Sequence, residues 1–440
     1  MIASPSDPKK CPALKSLQEE IAEHIFHSSK VKERCEYFLK ALTKFDPLNI
    51  KMIKSIAFYG IPDEIRSLRP LIWRMLFSYL PADKSKWVDL LRSNKEIYES
   101  FVLDLIDKRN QEIISLGDDF LRDCDWERYL LEKDLESFEK IEEKAFDKPD
   151  PSIEEKKKLT SIYNDLSLWD EIEKDTKRTR SEMHFFVSKN DFITGYPLLL
   201  KLNLCLNPKL RFVSPEKANK EKLLQVVNEK NELHNDLLTR VLFLYAKLNP
   251  GIKYVQGMNE IAGTIYYCFA NDKNETLRAN AEIDTFFCFT LIMGEIKDGF
   301  IRNLDQAPSG LKGRIMDLND LLKKIDKELW EHFENEKVNP YFYSLRWVML
   351  MLSQEFEMHN ILRVWDSLLS HQNKMLYLNY CCVAIIESMK EELIKEEFSG
   401  IMEKLQQNIN NIDIQFIMNL AYQLYKQYSG MGEIPTFVIL

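Results

Sequence analysis

Two short segments carry side chains suited to binding and activating phosphate groups. The first is Ile172-Glu173-Lys174-Asp175-Thr176-Lys177-Arg178, in which Ile172, Asp175 and Arg178 follow one another at three-residue steps. On a helix these positions lie on neighbouring parts of one face, so Ile172 is expected to anchor the segment while Asp175 holds Arg178 by a charge-assisted hydrogen bond. A guanidinium stays charged and can contact two phosphate oxygens at once. Taken alone, the string also fits an ordinary surface arginine paired with a carboxylate.

The second segment is Tyr254-Val255-Gln256-Gly257-Met258-Asn259-Glu260. The carboxamide of Gln256 can accept a hydrogen bond from a water and donate one to a phosphate oxygen. The turn sequence 249–251 predicts the end of one helix, and an apolar pattern resumes at Met258, so Gln256 is expected at a helix start, where backbone N–H groups favour phosphate. Tyr254 is expected to pack and fix this loop. The plain alternative is a polar residue in a turn between two helices.

Helices are the elements predicted to position both segments. The chain of 440 residues has only 13 glycines and 16 prolines, which favours helices over turn-rich β structure. Apolar residues recur at helical spacing over 68–80, 241–248, 286–296, 345–356 and 378–389, and strict alternation of strand type is hard to find. An all-α fold is predicted. No internal repeat is evident, which argues against a helical solenoid adaptor.

Two regions depart from this pattern. Residues 1–50 are predicted to form a polar leader followed by an amphipathic helix, with Ile21, Ile25 and Val31 as candidates for its apolar face. A charged insertion, part helix and part loop, is predicted near 118–158, and a second polar stretch at 207–234 resembles it. Neither stretch marks a clear domain boundary.

Composition excludes several classes of function. The formal net charge is −9 and no basic block stands apart, so nucleic-acid binding is not expected. The N-terminus lacks the apolar stretch of a signal peptide, and no apolar run has the length of a membrane span. The eight cysteines are scattered without a CxxC pair, which indicates a reducing compartment. His24 and His27 are one turn apart, but no further ligands cluster nearby, so no metal site is predicted. Standard enzyme signatures are missing.

Four strings in this order resemble the TBC (Tre-2/Bub2/Cdc16) family, whose members accelerate GTP hydrolysis by Rab-type small GTPases. The 172–178 and 254–260 segments match the family patterns IxxDxxR and YxQ. The other two strings comprise Gly60-Ile61-Pro62 with Leu68-Arg69-Pro70-Leu71-Ile72-Trp73, and Arg346-Trp347 with Gln354-Glu355-Phe356 and Ile361-Leu362-Arg363-Val364-Trp365-Asp366. The resemblance implies a V-shaped bundle of helices, with the Rab-GAP domain over 51–425 and a tail at 426–440.

The resemblance also implies roles for single residues. Arg178 would be an arginine finger and Gln256 a glutamine finger, both supplied in trans to a GTP-bound Rab that itself carries the GTP and Mg²⁺. The protein would need no cofactor of its own. We assign Arg69, Trp73, Trp365 and Asp366 to the architecture of the bundle. Cytoplasmic residence is expected, with transient recruitment to endomembranes through the GTPase and a role in vesicle trafficking. The alternative is a catalytically silent TBC scaffold that binds a Rab without stimulating hydrolysis.

Overall fold

The computed structural model describes residues 12–115, 153–192, 194–199, 232–301, 310–407, 409 and 412–430. Over these ranges the regular structure is helical, and the only β feature is an isolated antiparallel bridge between Lys189 and Leu233. The all-α prediction is confirmed. Most of the predicted insertion at 118–158 and most of the polar stretch at 207–234 lie outside the described residues.

Twenty α-helices occur in the described ranges. They are α1 (Pro12–Glu23), α2 (Ser29–Thr43), α3 (Ile50–Ala57), α4 (Leu68–Leu76), α5 (Trp87–Val102), α6 (Lys108–Ser115), α7 (Ile153–Thr176), α8 (His184–Val187), α9 (His234–Leu248), α10 (Met258–Ala270), α11 (Glu275–Ala279), α12 (Ala281–Ile296), α13 (Leu311–Ile325), α14 (Lys327–Asn335), α15 (Pro340–Met349), α16 (Met358–Ser370), α17 (Lys374–Ser388), α18 (Lys390–Leu393), α19 (Phe398–Gln407) and α20 (Ile414–Tyr428). The chain divides into two compact units, one of 1–95 with 249–440 and one of 96–248.

The core of the larger unit forms around helices that are apolar on every side. In α17 every residue from Tyr377 to Ile386 is buried, and this helix packs against α20, α13 and α16. Helix α10 is buried almost throughout and packs against α12. A helix without a polar face belongs in the interior, because no side of it gains from contact with water.

In the smaller unit, α7 packs along α9. The ring of Trp169 meets that of Phe243 edge to face, with centroids 5.1 Å apart. Near the end of α7, the hydroxyls of Thr176 and Thr239 are 2.6 Å apart and both residues are buried. The last turn of α7 is therefore fixed to α9 by apolar packing and by a buried hydrogen bond.

Two predicted helices end earlier than their apolar patterns suggested. Helix α4 ends at Leu76, and Ser78 has φ +62°, so Tyr79 and Leu80 are buried outside the helix with their amides bonded to the carbonyl of Arg74. Helix α15 ends at Met349, before the predicted positions Leu352 and Phe356. The pattern persisted because buried turns also require apolar residues, while the left-handed backbone at Met351 and Leu352 stops the helix.

The N-terminal prediction was wrong in one respect. Residues 12–43 form two helices rather than one, and Ile25 lies between them with 80% of its surface exposed. Ile21 is buried as expected. Spacing alone could not show that α1 ends at Glu23, because residues 24–28 contain neither glycine nor proline. The predicted domain limits 51–425 and 426–440 stay predictions.

No helix in the described ranges has the length and apolar character needed to cross a membrane. Among the same residues, no group of three or more His, Cys, Asp or Glu side chains is arranged to hold a metal ion.

Candidate functional site

Arg178 stands in a turn immediately after helix α7. The helix ends at Thr176, so Arg178 is two residues past its last helical residue rather than within it. Its Nη2 donates to the Oδ1 of Asp175 at 2.6 Å, and its Nε donates to the carbonyl of Lys174 at 3.2 Å. The Arg178 side chain is nevertheless 70% exposed, while that of Asp175 is 8% exposed. A buried carboxylate therefore orients a guanidinium whose outer edge faces solvent.

The contacts predicted from the spacing of the first segment are present. Ile172 is fully buried, and Asp175 contacts Arg178. The hydroxyl of Thr179 donates to the Asp175 carbonyl at 3.1 Å, which closes the turn. The hydrogen bond to Thr239 fixes Thr176, two residues before Arg178. The backbone that carries Arg178 is therefore held on both sides.

Two other cationic residues, Lys177 and Arg180, lie next to Arg178 or two residues from it. Arg180 has a side chain only 9% exposed and bonds to Glu182. Lys177 lies 3.2 Å from Glu173 and is exposed. A guanidinium must reach a partner to contact its phosphate groups, so burial removes Arg180 as a candidate, and Arg178 is the exposed arginine of this turn.

Gln256 lies two residues before the start of α10. The preceding helix α9 ends at Leu248, as predicted, and Gln256 is exposed. Within the described part of the chain its side chain makes no hydrogen bond. Tyr254 is 7% exposed, and its hydroxyl donates to the Oδ1 of Asn259 at 3.2 Å. Tyr254 is therefore buried and hydrogen-bonded within five residues of its own position.

Asn259, the second residue of α10, forms several hydrogen bonds that hold this loop, and the sequence analysis assigned it no role. Its Oδ1 accepts from Tyr254 and from the amide of Gly257 at 3.1 Å, and its Nδ2 donates to Glu260. Gly257 has φ +102°, and a Cβ there would lie 2.7 Å from the Cδ2 of Leu350. Gly257, directly after Gln256, was the available signal, since glycine is common where the backbone leaves ordinary geometry.

The backbone amides at the start of α10 are less available than predicted. Those of Gly257, Met258 and Glu260 already bond to Asn259, Val255 and Gly257, respectively. The helix start therefore offers few unpaired N–H groups to a phosphate. What remains accessible at this position is the carboxamide of Gln256.

The four residues assigned to architecture lie together in the larger unit. The carboxylate of Asp366 is fully buried and accepts from the amide of Ile61 at 2.8 Å, the Nε of Arg69 at 3.1 Å and the Nε1 of Trp73 at 2.7 Å. The rings of Trp73 and Trp365 stack with centroids 5.8 Å apart. Asp366 thus ties α16 to α4 and to the 60–62 turn, because a buried carboxylate must find donors for its charge.

Asp175 and Arg178 belong to the compact unit of 96–248, whereas Tyr254 and Gln256 belong to the larger one. Each segment presents one exposed polar side chain on a backbone fixed by buried contacts. Each segment, within its own unit, is therefore suited to contribute a side chain to another molecule.

The sequence and the helical fold together define this chain as a member of the Rab-GTPase-TBC domain family. A family model with that description matches residues 220–394, a range that contains Gln256 and Asp366 but not Arg178.

Among its relatives, the chain is 32% identical to human TBC1 domain family member 13 over 409 residues, covering 86% of this chain and 94% of that protein. It is 28% identical over 222 residues to a Schizosaccharomyces pombe protein named GTPase-activating protein gyp1, covering 46% of this chain and 42% of that protein. The crystal structure of the Ypt/Rab-GAP domain of Gyp1p matches with a TM-score of 0.61 at 18% identity, over 91% of this chain and 98% of that one. This last likeness shows the fold alone.

Proposed function

We propose that this protein is a GTPase-activating protein for a Rab-family small GTPase, and that it supplies Arg178 and Gln256 in trans to the nucleotide of that partner. Membership of the Rab-GTPase-TBC family supports the class of partner. The observation that carries the catalytic part is the exposed Arg178 guanidinium, oriented by the buried carboxylate of Asp175.

The chemistry of GTP hydrolysis explains why both side chains are needed. Charge develops on the transferred phosphoryl group, and an arginine inserted in trans is worth roughly 10³ to 10⁵ in rate. By transition-state arithmetic this is about 4–7 kcal/mol of barrier. A carboxamide orients the attacking water by accepting from it while donating to a phosphate oxygen. GTP and Mg²⁺ are carried by the partner in its GTP-bound state.

The expected consequence for Arg178 is large and specific. Arg178→Ala removes the charge at the transferred phosphoryl group, and Arg178→Lys replaces a planar fork with a point charge that cannot contact two oxygens. Both variants should lose most of the stimulation, by roughly 10³ to 10⁵. Single-turnover GTP hydrolysis by a panel of Rab proteins measures this effect, with Lys177→Ala as the matched control because it removes an exposed charge from the adjacent position.

Gln256→Ala should lower the single-turnover rate without weakening binding of the Rab, because its carboxamide acts on the water. If Arg178→Ala and Gln256→Ala both still stimulate GTP hydrolysis, these two residues are not the catalytic site. If the wild type binds a Rab but stimulates none of the panel, the protein is a silent scaffold.

The proposal includes the location of the protein. Because a GTP-loaded Rab is held at a membrane by its lipids, the GTPase would recruit the protein transiently to endomembranes from the cytoplasm. The catalytic domain would comprise 51–425. A role in vesicle trafficking follows from that partner.

A further inference from the structure

Two arginines without a carboxylate partner meet at Gly60, within the larger unit. Arg34 on α2 donates through Nη2 to the carbonyl of Gly60. Arg363 on α16 donates to the Oγ of Ser367 at 2.7 Å and, through Nε, to the Oε1 of Gln415 at 3.4 Å. A Cβ at Gly60 would lie 2.8 Å from the Nε of Arg363, and the φ of +95° also requires glycine there. The two guanidinium groups therefore lie against the same residue.

The charges of these arginines are compensated only in part, by a carboxylate that is hydrogen-bonded to neither of them. Among the residues that the structure describes, every acceptor bonded to Arg34 or Arg363 is neutral. Asp366 acts on both, but its oxygens already accept from Arg69, Trp73 and the amide of Ile61. Burial lowers the pKa of both guanidinium groups, and the charge of Arg34 lowers the pKa of Arg363 further. Two half-buried cations so close together destabilise each other until an anion joins them.

Two tyrosine hydroxyls near this pair lack acceptors, one on Tyr377, which interacts with Arg363, and one on Tyr422, which interacts with Tyr377. The OH groups of Tyr377 on α17 and Tyr422 on α20 are buried and have no hydrogen-bond partner within the described ranges. Both rings pack against Phe58, with centroids 5.0 and 5.8 Å from it. Burial raises the pKa of Tyr377 while the charge of Arg363 opposes that rise, so the phenol lies within the field of this guanidinium. A hydroxyl that donates to nothing is uncommon in a protein interior.

We propose that Arg34, Arg363, Tyr377 and Tyr422 form a binding site for a phosphate-type oxyanion. Such an anion supplies what the cluster lacks, namely negative charge for two guanidinium groups and acceptor oxygens for two hydroxyls. A water molecule could accept from the hydroxyls but would leave the positive charges only partly compensated. The site lies apart in the sequence from Arg178 and Gln256 and does not depend on the proposed GTPase activation. The phosphate group can belong to a free metabolite or to a lipid headgroup.

The 440-residue chain can be tested with inorganic phosphate and pyrophosphate by calorimetric titration and thermal unfolding, with sodium chloride at matched ionic strength as the reference. Both anions should bind and raise the melting temperature, because a ligand that binds only the folded state stabilises it. Arg363→Gln should abolish the binding and the shift. Arg92→Gln, which alters an exposed arginine on α5, should retain both.

Tyr377→Phe and Tyr422→Phe keep the test decisive if Arg363→Gln folds poorly. Each removes a hydroxyl that has no partner without ligand, so the melting temperature in chloride should not fall. Each should weaken pyrophosphate binding roughly ten- to hundredfold, as expected for one lost hydrogen bond to a charged group. The proposal is overturned if the wild type has the same melting temperature in phosphate as in chloride and shows no binding. It is also overturned if both tyrosine variants keep the wild-type affinity for pyrophosphate.

Vesicles separate the two sources of the phosphate group. Phosphatidylcholine vesicles containing phosphatidic acid present a phosphate monoester, whereas those containing phosphatidylserine present a comparable negative surface without one. If the wild type sediments only with the phosphatidic acid vesicles and Arg363→Gln does not, the phosphate group belongs to a lipid headgroup. Binding of soluble pyrophosphate without sedimentation indicates a free phosphate compound. Sedimentation with both vesicle types to the same extent in wild type and Arg363→Gln counts against the site as the lipid-binding element.

Discussion

At the scale of single residues, the buried carboxylate of Asp175 determines how the exposed guanidinium of Arg178 is presented to solvent. The Asp175–Arg178 pair and the burial of Ile172 follow from three-residue steps, and both are present although α7 ends at Thr176. The same contacts form because a turn that continues directly from a helix keeps side chains three apart on one side. Gly257 indicated an unusual backbone next to Gln256, but the hydrogen bonds of Asn259 could not be predicted, since they depend on the left-handed conformation that Gly257 adopts.

Asp175→Asn should weaken the orientation of Arg178 while keeping an acceptor oxygen in place. A hydrogen bond to a charged group is stronger than a neutral one, but Arg178 is exposed, so the expected loss is about 0.5–1 kcal/mol. That corresponds to roughly a two- to fivefold lower single-turnover rate, far less than for Arg178→Ala. Asp170→Asn is the matched control, because Asp170 pairs with Lys174 on the exposed side of the same helix. A loss as large as that of Arg178→Ala would mean that Asp175 does more than orient the guanidinium.

At the scale of elements, the apolar periodicity located helices but not their ends. Over 286–296 and 378–389 the pattern lies within α12 and α17 and at the cap of α17. At 79–80 and 352–356 the same pattern continues into buried turns, where positive φ at Ser78, Met351 and Leu352 stops the helix. None of these three is glycine, the usual signal for such a backbone, and the reversal depends on tertiary packing. Sequence reasoning could not find that signal.

Gly257→Ala should destabilise the fold and displace the Gln256 loop together. The φ of +102° disfavours any side chain, and the new Cβ would meet Leu350 at 2.7 Å. A loss of about 1–3 kcal/mol in the free energy of unfolding is expected from backbone strain of this kind, with the clash in addition. Urea denaturation measures the stability, and single-turnover hydrolysis measures the effect on the loop.

The double variant Gly257→Ala/Leu350→Ala separates the two causes. It removes the steric contact but leaves the backbone strain, so relative to Leu350→Ala alone the glycine substitution should cost less than it does in the wild type. Equal costs in the two backgrounds would show that the contact with Leu350 contributes nothing and that strain in the backbone accounts for the whole effect.

At the scale of the whole molecule, the family could be predicted because its four strings lie in order along the chain, and the match to human TBC1 domain family member 13 over most of both chains confirms it. The buried charge clusters could not be predicted. Asp366 reaches Arg69 across 297 positions, and Arg74 reaches Asp284 across 210. The residues next to an arginine in the sequence do not show whether it will be buried or which distant carboxylate it will pair with.

Glu387 on α17 should give the whole molecule a pH-dependent stability near neutrality. Burial, and then the negative charge of Asp326, raise the pKa of Glu387 to about 7 despite the opposing charge of Lys390. Its ordinary value is 4.5, so between these values the folded state holds a proton that the unfolded state has released. This contribution to stability is therefore present below the ordinary pKa and is lost as the pH rises through about 7.

Glu387→Gln removes this titration and keeps the side-chain shape. The variant should gain stability relative to wild type as the pH rises from about 5 to about 8, by ~0.5–1 kcal/mol because partial exposure screens the effect. Urea denaturation at a series of pH values measures the difference, and Glu391→Gln, on the exposed side of the adjacent helix α18, controls for the loss of one negative charge. A stability difference between Glu387→Gln and wild type that stays constant with pH would contradict a raised pKa, since a carboxyl with its ordinary value would already be ionised at both ends of the range.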